Sequence, residues 1–194
     1  MKISSKGLAL IKRFEGCRLA AYKDAGGVAT IGYGHTRGVV IGQTITQAQA
    51  DAFLVDDCAG AEAAVNKYMN RYNFNQNQFD ALLSFTYNCG ITRLTNSSLW
   101  KSLKSGVPNS DLFLQYKSQG GKYLAGILRR RVAEIYLFEG ADWHEGNDLV
   151  LEYVRIRRAN NIMLKNTRQQ TIDAQVYLKV DHLDGLISFV AKHE

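Results

Sequence analysis

The first sixteen residues carry apolar positions at helical spacing. A helix is predicted from a capping Ser4 or Ser5 to a stop at Gly16. Its apolar positions, three and four residues apart, are Leu8, Leu10, Ile11 and Phe14. This spacing indicates one buried face on an otherwise polar helix.

The pattern then changes to a period of two. KDAGG predicts a turn, and VATIGYGHT, which is rich in β-branched and aromatic residues, predicts a strand. On that strand Val28, Thr30 and Gly32 would share one face. RGVVIGQTIT, residues 37–46, predicts a second extended piece, so a small β region is expected here.

Helical spacing returns after residue 46. A Thr-x-x-Gln capping box at Thr46 starts a long helix to about Met69, and an Asn-x-x-Gln box at Asn75 starts another that ends at Gly90. The apolar sides are Ala48, Ala52, Val55 and Ala59 on the first, and Phe79, Leu82, Leu83 and Phe85 on the second. Further helices are predicted at SSLWKSLKSG, SDLFLQYKSQGG and GILRRRVAEIYLFEG.

The character of the chain shifts after Gly140. ADWHEGND is interpreted as a linker, VLEYVRIRR and QVYLKV as strands, and DHLDGLISFVAKHE as a helix. We therefore divide the chain into a main domain, residues 1–143, and a C-terminal extension, residues 144–194. The extension is too short for a core of its own. It is expected to pack on the main domain or a partner and to supply no catalytic group.

Composition narrows the class of protein. With 194 residues, 46% hydrophobic and 22% charged, the chain can bury a sizeable core. It lacks an apolar run long enough for a transmembrane helix, and GLALI is too short for a signal peptide. Synthesis in the cytoplasm without a signal peptide is expected. Cys17, Cys58 and Cys89 fit no zinc site or disulfide framework, which favours free thiols or one disulfide after export. No cofactor or metal is predicted.

The net charge of +6 is unevenly distributed. Residues 1–143 hold 17 basic and 11 acidic side chains, whereas residues 144–194 hold seven of each. A basic surface favours encounters with polyanions such as nucleic acid, anionic lipid or a cell-wall polymer, although it also simply aids solubility. Because no nucleic-acid motif is visible, a nucleic-acid partner is not expected.

Two carboxylates stand in an unusual setting near the N-terminus. Seven of the 17 glycines fall between Gly16 and Gly42, and Glu15 and Asp24 lie at or inside this stretch. A helix end and apolar neighbours favour a protonated Glu15, while backbone donors in a turn favour an ionised Asp24. One protonated and one ionised carboxyl group are what glycosidic bond cleavage needs. Purely structural roles are the alternative.

FEGCRLAAYKDAGGVATIGYGHT resembles the signature of the phage-type lysozymes, glycoside hydrolase family 24. That signature is Glu, eight residues, Asp, five residues, Thr, and Glu15, Asp24 and Thr30 match it. The resemblance continues through GVVIGQTITQAQADAFL, NQNQFDALLSFTYNCG and GGKYLAGILRRRVAEIYLF, and so covers roughly residues 5–140.

The resemblance implies an α+β, mostly helical fold with two lobes, a small β-hairpin lobe and a helical lobe, joined by a long helix. It implies a muramidase that cleaves the β-1,4 bond between N-acetylmuramic acid and N-acetylglucosamine in peptidoglycan. Glu15 would be the general acid, and Asp24 and Thr30 would hold the water that inverts the anomeric centre. Gly34 and His35 are candidate substrate-binding residues, although hydrogen bonds that hold the hairpin are the expected role of His35.

Several biological settings fit this chemistry. A phage or prophage endolysin, released by a holin to act on the wall in the periplasm during host lysis, is the first. A bacterial effector lysozyme delivered by a secretion system is the second. From other classes, a catalytically inactive peptidoglycan-binding module and a basic nucleic-acid binder remain, and clearing of a peptidoglycan suspension separates the enzymes from both.

Overall fold

The computed structural model describes residues 1–69, 72, 74–116, 118–119, 122–123, 125–148 and 150–151. Its elements are α1 (Ser5–Glu15), β1 (Arg18–Lys23), β2 (Ala29–Gly32), α2 (Gln47–Met69), α3 (Gln76–Cys89), α4 (Ile91–Thr95), α5 (Ser98–Lys104), a 3₁₀ helix (Ser110–Tyr116), β3 (Ser118–Gln119), β4 (Lys122–Tyr123) and α6 (Ala125–Phe138). Residues 143–148 are also helical. Within this described part, no helix is both long and apolar enough to cross a membrane.

The first helix forms as its capping residues predict. Ser4 accepts a hydrogen bond from the Gly7 backbone at 3.4 Å, and Gly16, at φ +70°, ends α1. Ser4 N also donates to Asp80 Oδ1 of α3 at 3.0 Å. The start of α1 is therefore held by α3, and Leu10, in the middle of α1, is completely buried.

The strand predicted in VATIGYGHT forms β2, but its partner in the β-hairpin is not the expected one. β2 pairs antiparallel with β1, with Tyr22 opposite Thr30, and not with residues 37–46. Residues 37–46 form turns at Gly38 and Gly42, whose φ angles of +70° and +98° favour glycine. Only a single bridge, Ala20 with Thr44, ties this segment to β1. The prediction of a second extended piece was wrong because two glycine turns interrupt its β-branched residues.

The long helix α2 begins at the expected capping box. Thr46 N donates to Gln49 Oε1 at 2.8 Å, and Gln49 N donates to Thr46 Oγ1 at 3.2 Å. The predicted apolar side is instead exposed, and Val55 is 48% exposed. The buried apolar positions of α2 are Ala50, Leu54, Cys58 and Val65. Alanines lie all round this helix, so the sequence contrast between its faces is weak, and the neighbouring elements decide which face is covered.

Helix α3 lies at the centre of the helical lobe. Its capping box at Asn75 forms as expected, with Gln78 N donating to Asn75 Oδ1 at 2.9 Å. Every residue from Phe79 to Thr86 is buried, because α3 packs against α1, α2, α4 and α6. The architecture is thus the expected mostly helical, two-lobed fold with a small hairpin lobe and a long α2.

The stretch interpreted as a linker is instead a packed helix. Trp143 is 3% exposed in residues 143–148, and Asn147 Oδ1 accepts from Arg129 of α6 at 3.1 Å. Gly146 lies so close to Tyr136 that a Cβ there would be 2.7 Å from the ring. Buried residues three and four positions apart form one side of a helix here. The polar and glycine residues between them made the segment look like a linker in the sequence. Of VLEYVRIRR only the first two residues are described, and they are helical; QVYLKV and the terminal predicted helix lie outside the described residues.

Trp143→Ala tests whether this helix is part of the main core. Removing a buried Trp side chain is expected to lower the free energy of unfolding by about 3–5 kcal/mol, because a cavity remains beside α6. Denaturant unfolding measures the loss. Glu145→Ala, at an exposed position of the same helix, is the control and should change stability little. Equal stability of the Trp143 variant and the native chain would contradict the packed helix.

Candidate active site

Glu15 is the last residue of α1, at the carboxyl end of the helix as the sequence predicts. Its side chain is 25% exposed, and its Oε1 lies 2.5 Å from Nη1 of Arg130 on α6. The Arg130 guanidinium carbon lies 6.0 Å from the centroid of the Phe14 ring. A cation that the sequence reasoning did not include therefore fixes the orientation of this carboxyl group.

Arg130 is itself held from three directions. Its side chain is only 4% exposed, and its Nη2 donates to the backbone oxygen of Ser84 on α3 at 3.1 Å. Its Nε lies 3.3 Å from Oε1 of Glu134, one turn further along α6. These contacts and the burial of the side chain hold the guanidinium in place, so Glu15 is oriented by a group that is anchored in the core.

Glu134 is the completely buried anion of this cluster. It accepts from Ser84 Oγ at 2.7 Å, and its Oε2 lies 3.1 Å from Nε of Arg131. Burial raises the pKa of the Glu134 carboxyl group, and the two guanidiniums and the Ser84 hydroxyl oppose that shift. Arg130 and Arg131 are themselves buried, at 3% and 0% exposed, although three consecutive arginines on a helix would ordinarily lie on a solvated face.

Asp24 lies in the hairpin turn, where backbone donors surround one of its oxygens. Oδ1 accepts from Gly26 N at 2.9 Å and from Val28 N at 2.8 Å. The backbone of Asp24 in turn donates to Val28 O at 3.0 Å. Oδ2 accepts no hydrogen bond from the described residues, so one oxygen anchors the side chain and the other faces away from these donors.

Thr30 lies on β2 and is 3% exposed. Its hydroxyl donates to Val28 O at 3.0 Å, so the peptide units of Val28 hold both Thr30 and Asp24. Because the hydroxyl hydrogen is used in this bond, the lone pairs of Thr30 Oγ1 remain able to accept a hydrogen bond from a small molecule. The hairpin thus brings these two side chains together through one residue.

His35 joins the hairpin lobe to α2. Its Nδ1 lies 2.9 Å from Asp57 Oδ2, its Nε2 lies 2.9 Å from Arg37 O, and its ring stacks on Phe53 with centroids 4.4 Å apart. Both ring nitrogens are engaged, which fits the expected role of holding the hairpin. Gly34 is exposed and has φ +102°. Binding of substrate by Gly34 or His35 stays a prediction.

A groove of about 480 Å³ opens beside Glu15. It is lined by Arg13, Phe14, Glu15, Asn88, Gly126, Ile127, Arg129 and Arg130. Asp24 and Thr30 are not part of this lining. They lie on the hairpin, whose first strand begins at Arg18, three residues after Glu15, where Arg18 pairs with Gly32. The structure therefore brings Glu15 to Arg130 of α6, and it anchors Asp24 and Thr30 on the backbone of Val28.

The sequence reasoning missed four members of the site: Ser84, Asn88, Arg130 as the partner of Glu15, and Glu134. One signal for them is present in RRRVAE, since Arg130 and Glu134 stand four residues apart on a helix with apolar neighbours. No comparable pattern marks Ser84 or Asn88, which are ordinary polar residues of α3 until α6 packs against them.

The sequence pattern of the phage lysozyme family matches residues 12–134. The chain belongs to the phage lysozyme family. It is 45% identical over 147 residues to the endolysin of Acyrthosiphon pisum secondary endosymbiont phage 1, covering 73% of this chain and all of the relative. It is 39% identical over 145 residues to the endolysin of Salmonella phage P22, covering 71% of this chain and 98% of that one.

A solved structure gives the same result. The endolysin from Escherichia coli O157:H7 phage FAHEc1 superposes with a TM-score of 0.65 at 38% identity, covering 71% of this chain and 93% of that one. This phage lysozyme is accordingly a glycoside hydrolase of the muramidase type, and its substrate is bacterial peptidoglycan.

Glu134→Gln tests the buried cluster. The substitution leaves Arg130 and Arg131 without their buried anion, so the free energy of unfolding is expected to fall by roughly 3–5 kcal/mol. Turnover per folded molecule should also fall, since Glu15 loses its rigid partner. Thermal melting and clearing of purified peptidoglycan measure the two effects. Glu139→Gln, exposed just beyond the end of α6, is the matched control; a cluster variant indistinguishable from it would contradict this role.

Proposed function

We propose that Glu15 is the general acid of this muramidase and that Asp24 and Thr30 hold the attacking water. The bond cleaved is the β-1,4 link between N-acetylmuramic acid and N-acetylglucosamine. The observation that carries the proposal is the separation of two environments. Glu15 is held by Arg130 on a groove wall, whereas Asp24 and Thr30 are anchored together on the hairpin.

The acid must deliver its proton to the leaving glycosidic oxygen. In the structure Oε1 of Glu15 is occupied by Arg130, and Oε2 has no hydrogen-bond partner among the described residues. Oε2 is therefore the oxygen that carries the proton toward substrate. Because Arg130 already holds Oε1, the Glu15 side chain has less rotational freedom left to lose in the transition state.

The water must lie on the opposite face of the sugar. Asp24 Oδ2 and Thr30 Oγ1 each retain an acceptor, because their other hydrogen-bonding capacity is used on Val28 and Gly26. A water that donates one hydrogen bond to each of these oxygens keeps a lone pair free to attack the anomeric carbon. Asp24 then takes a proton as the bond to carbon forms, and the configuration is inverted.

The setting proposed for this activity is host lysis by an endolysin. The enzyme would be made in the cytoplasm, reach the periplasmic face of the wall through a holin, and act there on peptidoglycan. Residues 1–143 would form the catalytic domain, and residues 144–194 an extension without a catalytic group. The family match over residues 12–134 supports that assignment of the chemistry to the first part.

Glu15→Gln tests the acid. An amide supplies no proton to the leaving oxygen, so turnover should fall by roughly 10²- to 10⁴-fold. Sedimentation with insoluble peptidoglycan should show nearly unchanged binding. The readout is the rate of clearing per folded protein, with Glu139→Gln as the charge-matched control at an exposed site. A well-folded Glu15→Gln that kept more than about a tenth of native turnover would sink the assignment.

Thr30→Val and Thr30→Ser together test the water site. Valine keeps the shape of threonine but removes the hydroxyl, whereas serine keeps the hydroxyl and removes a methyl group. We expect the valine variant to lose roughly 10²-fold in kcat, and the serine variant to lose far less. Because Thr30 is buried, thermal melting must accompany the kinetics. Equal activity of the two variants would show that the hydroxyl takes no part.

A further inference from the structure

The proposed acid and the proposed water site lie on separate elements. Among the described residues, Glu15 makes no hydrogen bond or ion pair with Asp24 or Thr30. Only two residues separate α1 from β1, and one of them is Gly16, at φ +70°. A misplacement of about 1 Å between reacting groups can cost roughly 100-fold in rate. The separation of the two sites therefore depends on side-chain contacts that join α1 to the hairpin.

Asp51, one turn into α2, is the centre of a polar cluster that makes this connection. Its Oδ2 lies 2.9 Å from Lys12 Nζ of α1, and its Oδ1 accepts from Gln47 Nε2 at 2.8 Å. Gln47 Nε2 also donates to the Tyr33 hydroxyl at 2.9 Å. These four residues, which we call the bridging cluster, come from α1, from the start of α2 and from the turn after β2.

Two members of the bridging cluster are close in sequence to the proposed catalytic residues. Lys12 is three residues before Glu15, and its backbone oxygen accepts from Gly16 N at 3.2 Å at the end of the helix. Tyr33 is three residues after Thr30 and directly follows β2. The cluster therefore joins the helical turn that carries the proposed acid to the hairpin that carries Thr30.

Tyr33 anchors the bridging cluster in the core. This residue is only 8% exposed, and its backbone oxygen accepts from the Tyr87 hydroxyl of α3 at 3.4 Å. Lys12 Nζ lies 5.6 Å from the centroid of the Tyr33 ring, so the ammonium group interacts with an aromatic face as well as with Asp51. Lys12 is thus held by both the hairpin lobe and α2.

The ion pair at the centre of the cluster is partly exposed. The side chains of Lys12 and Asp51 are 31% and 40% exposed. Hydrogen bonds from Lys12 and from Gln47 lower the pKa of Asp51, so its carboxylate stays ionised at neutral pH. Ion pairs with this exposure contribute little to global stability. Substitution of either partner should therefore leave the chain folded, and an effect on turnover can be measured separately from unfolding.

We propose that Lys12, Gln47 and Asp51 are positioning residues, which set the separation between Glu15 and the water site and so control kcat rather than KM. This inference rests on the proposed function, because the separation matters to turnover only if both sites act on the same glycosidic bond.

Lys12→Met and Lys2→Met form a matched pair of variants. Lys2 also makes an ion pair with α2, since its Nζ lies 2.7 Å from Glu62 Oε2, but it joins the N-terminal segment and not the hairpin to that helix. On soluble peptidoglycan fragments, Lys12→Met should lower kcat by roughly 5- to 10-fold and change KM by less than about twofold. Lys2→Met should change neither constant, even if it lowers the melting temperature.

A charge exchange tests whether the two charged partners act as a pair. Lys12→Asp places two carboxylates together, and Asp51→Lys places two ammonium groups together, so each should lower kcat by roughly 10-fold or more. The double variant restores an ion pair of opposite direction, and its kcat should return to within about threefold of the native value. A double variant no more active than the single variants would overturn the pairing.

Hydrogen exchange gives a readout that does not require turnover. Backbone amides of the hairpin lobe, such as Ile31 N, which donates to His35 O at 2.8 Å, should exchange faster in Lys12→Met than in the native protein. They should be unchanged in Lys2→Met. Equal exchange in all three proteins would contradict a connection between α1 and the hairpin through Lys12.

The outcomes separate this inference from the proposed function. Unchanged kcat in Lys12→Met and in both single charge variants would overturn the positioning role, even if Glu15→Gln is inactive. A raised KM with unchanged kcat would make the cluster a substrate-binding element and would overturn it as well. Turnover retained by Glu15→Gln would instead overturn the proposed acid, whatever the cluster variants show.

Discussion

The buried carboxyl group of Glu134 is the constraint on which both the helical lobe and the orientation of Glu15 depend. A charge without solvent is costly unless hydrogen bonds and opposite charges surround it closely. Here Arg130, Arg131 and the Ser84 hydroxyl do so, from α6 and α3. Satisfying this anion docks the two helices in one register, and the same docking presents Arg130 to Glu15. Core stability and the orientation of Glu15 therefore depend on the same contacts in this protein.

The hairpin lobe is held by a different kind of interaction. Backbone groups of Val28 bond to Asp24 and Thr30, and the ring of His35 connects the lobe to Asp57 of α2. These contacts are mostly local and mostly neutral. A muramidase needs an acid and a water-holding carboxylate in unlike surroundings. In this protein Glu15, the proposed acid, is held by the long-range charge cluster, whereas Asp24 and Thr30, the proposed water site, are held by a short turn.

Where the sequence analysis was right, the deciding interactions are local. The capping boxes at Thr46 and Asn75 each lie within four residues, and they form as expected. Where it was wrong, neighbours in space decide. The buried face of α2 follows from what covers it and not from its alanine positions, and residues 37–46 bend at two glycines. The interpreted linker is a helix because Trp143 finds a site in the core.

By itself, the sequence determined the local settings of the three candidate catalytic residues. Glu15 ends a helix, Asp24 sits among turn donors, and Thr30 lies on a strand, since each depends on a few adjacent residues. Only the tertiary structure decided that Arg130 is the partner of Glu15, 115 residues away. A run of three arginines looks the same whether solvated or buried. Packing of α6 on α3 removes water from two of them and leaves the third facing the groove, because helical periodicity points successive side chains in different directions.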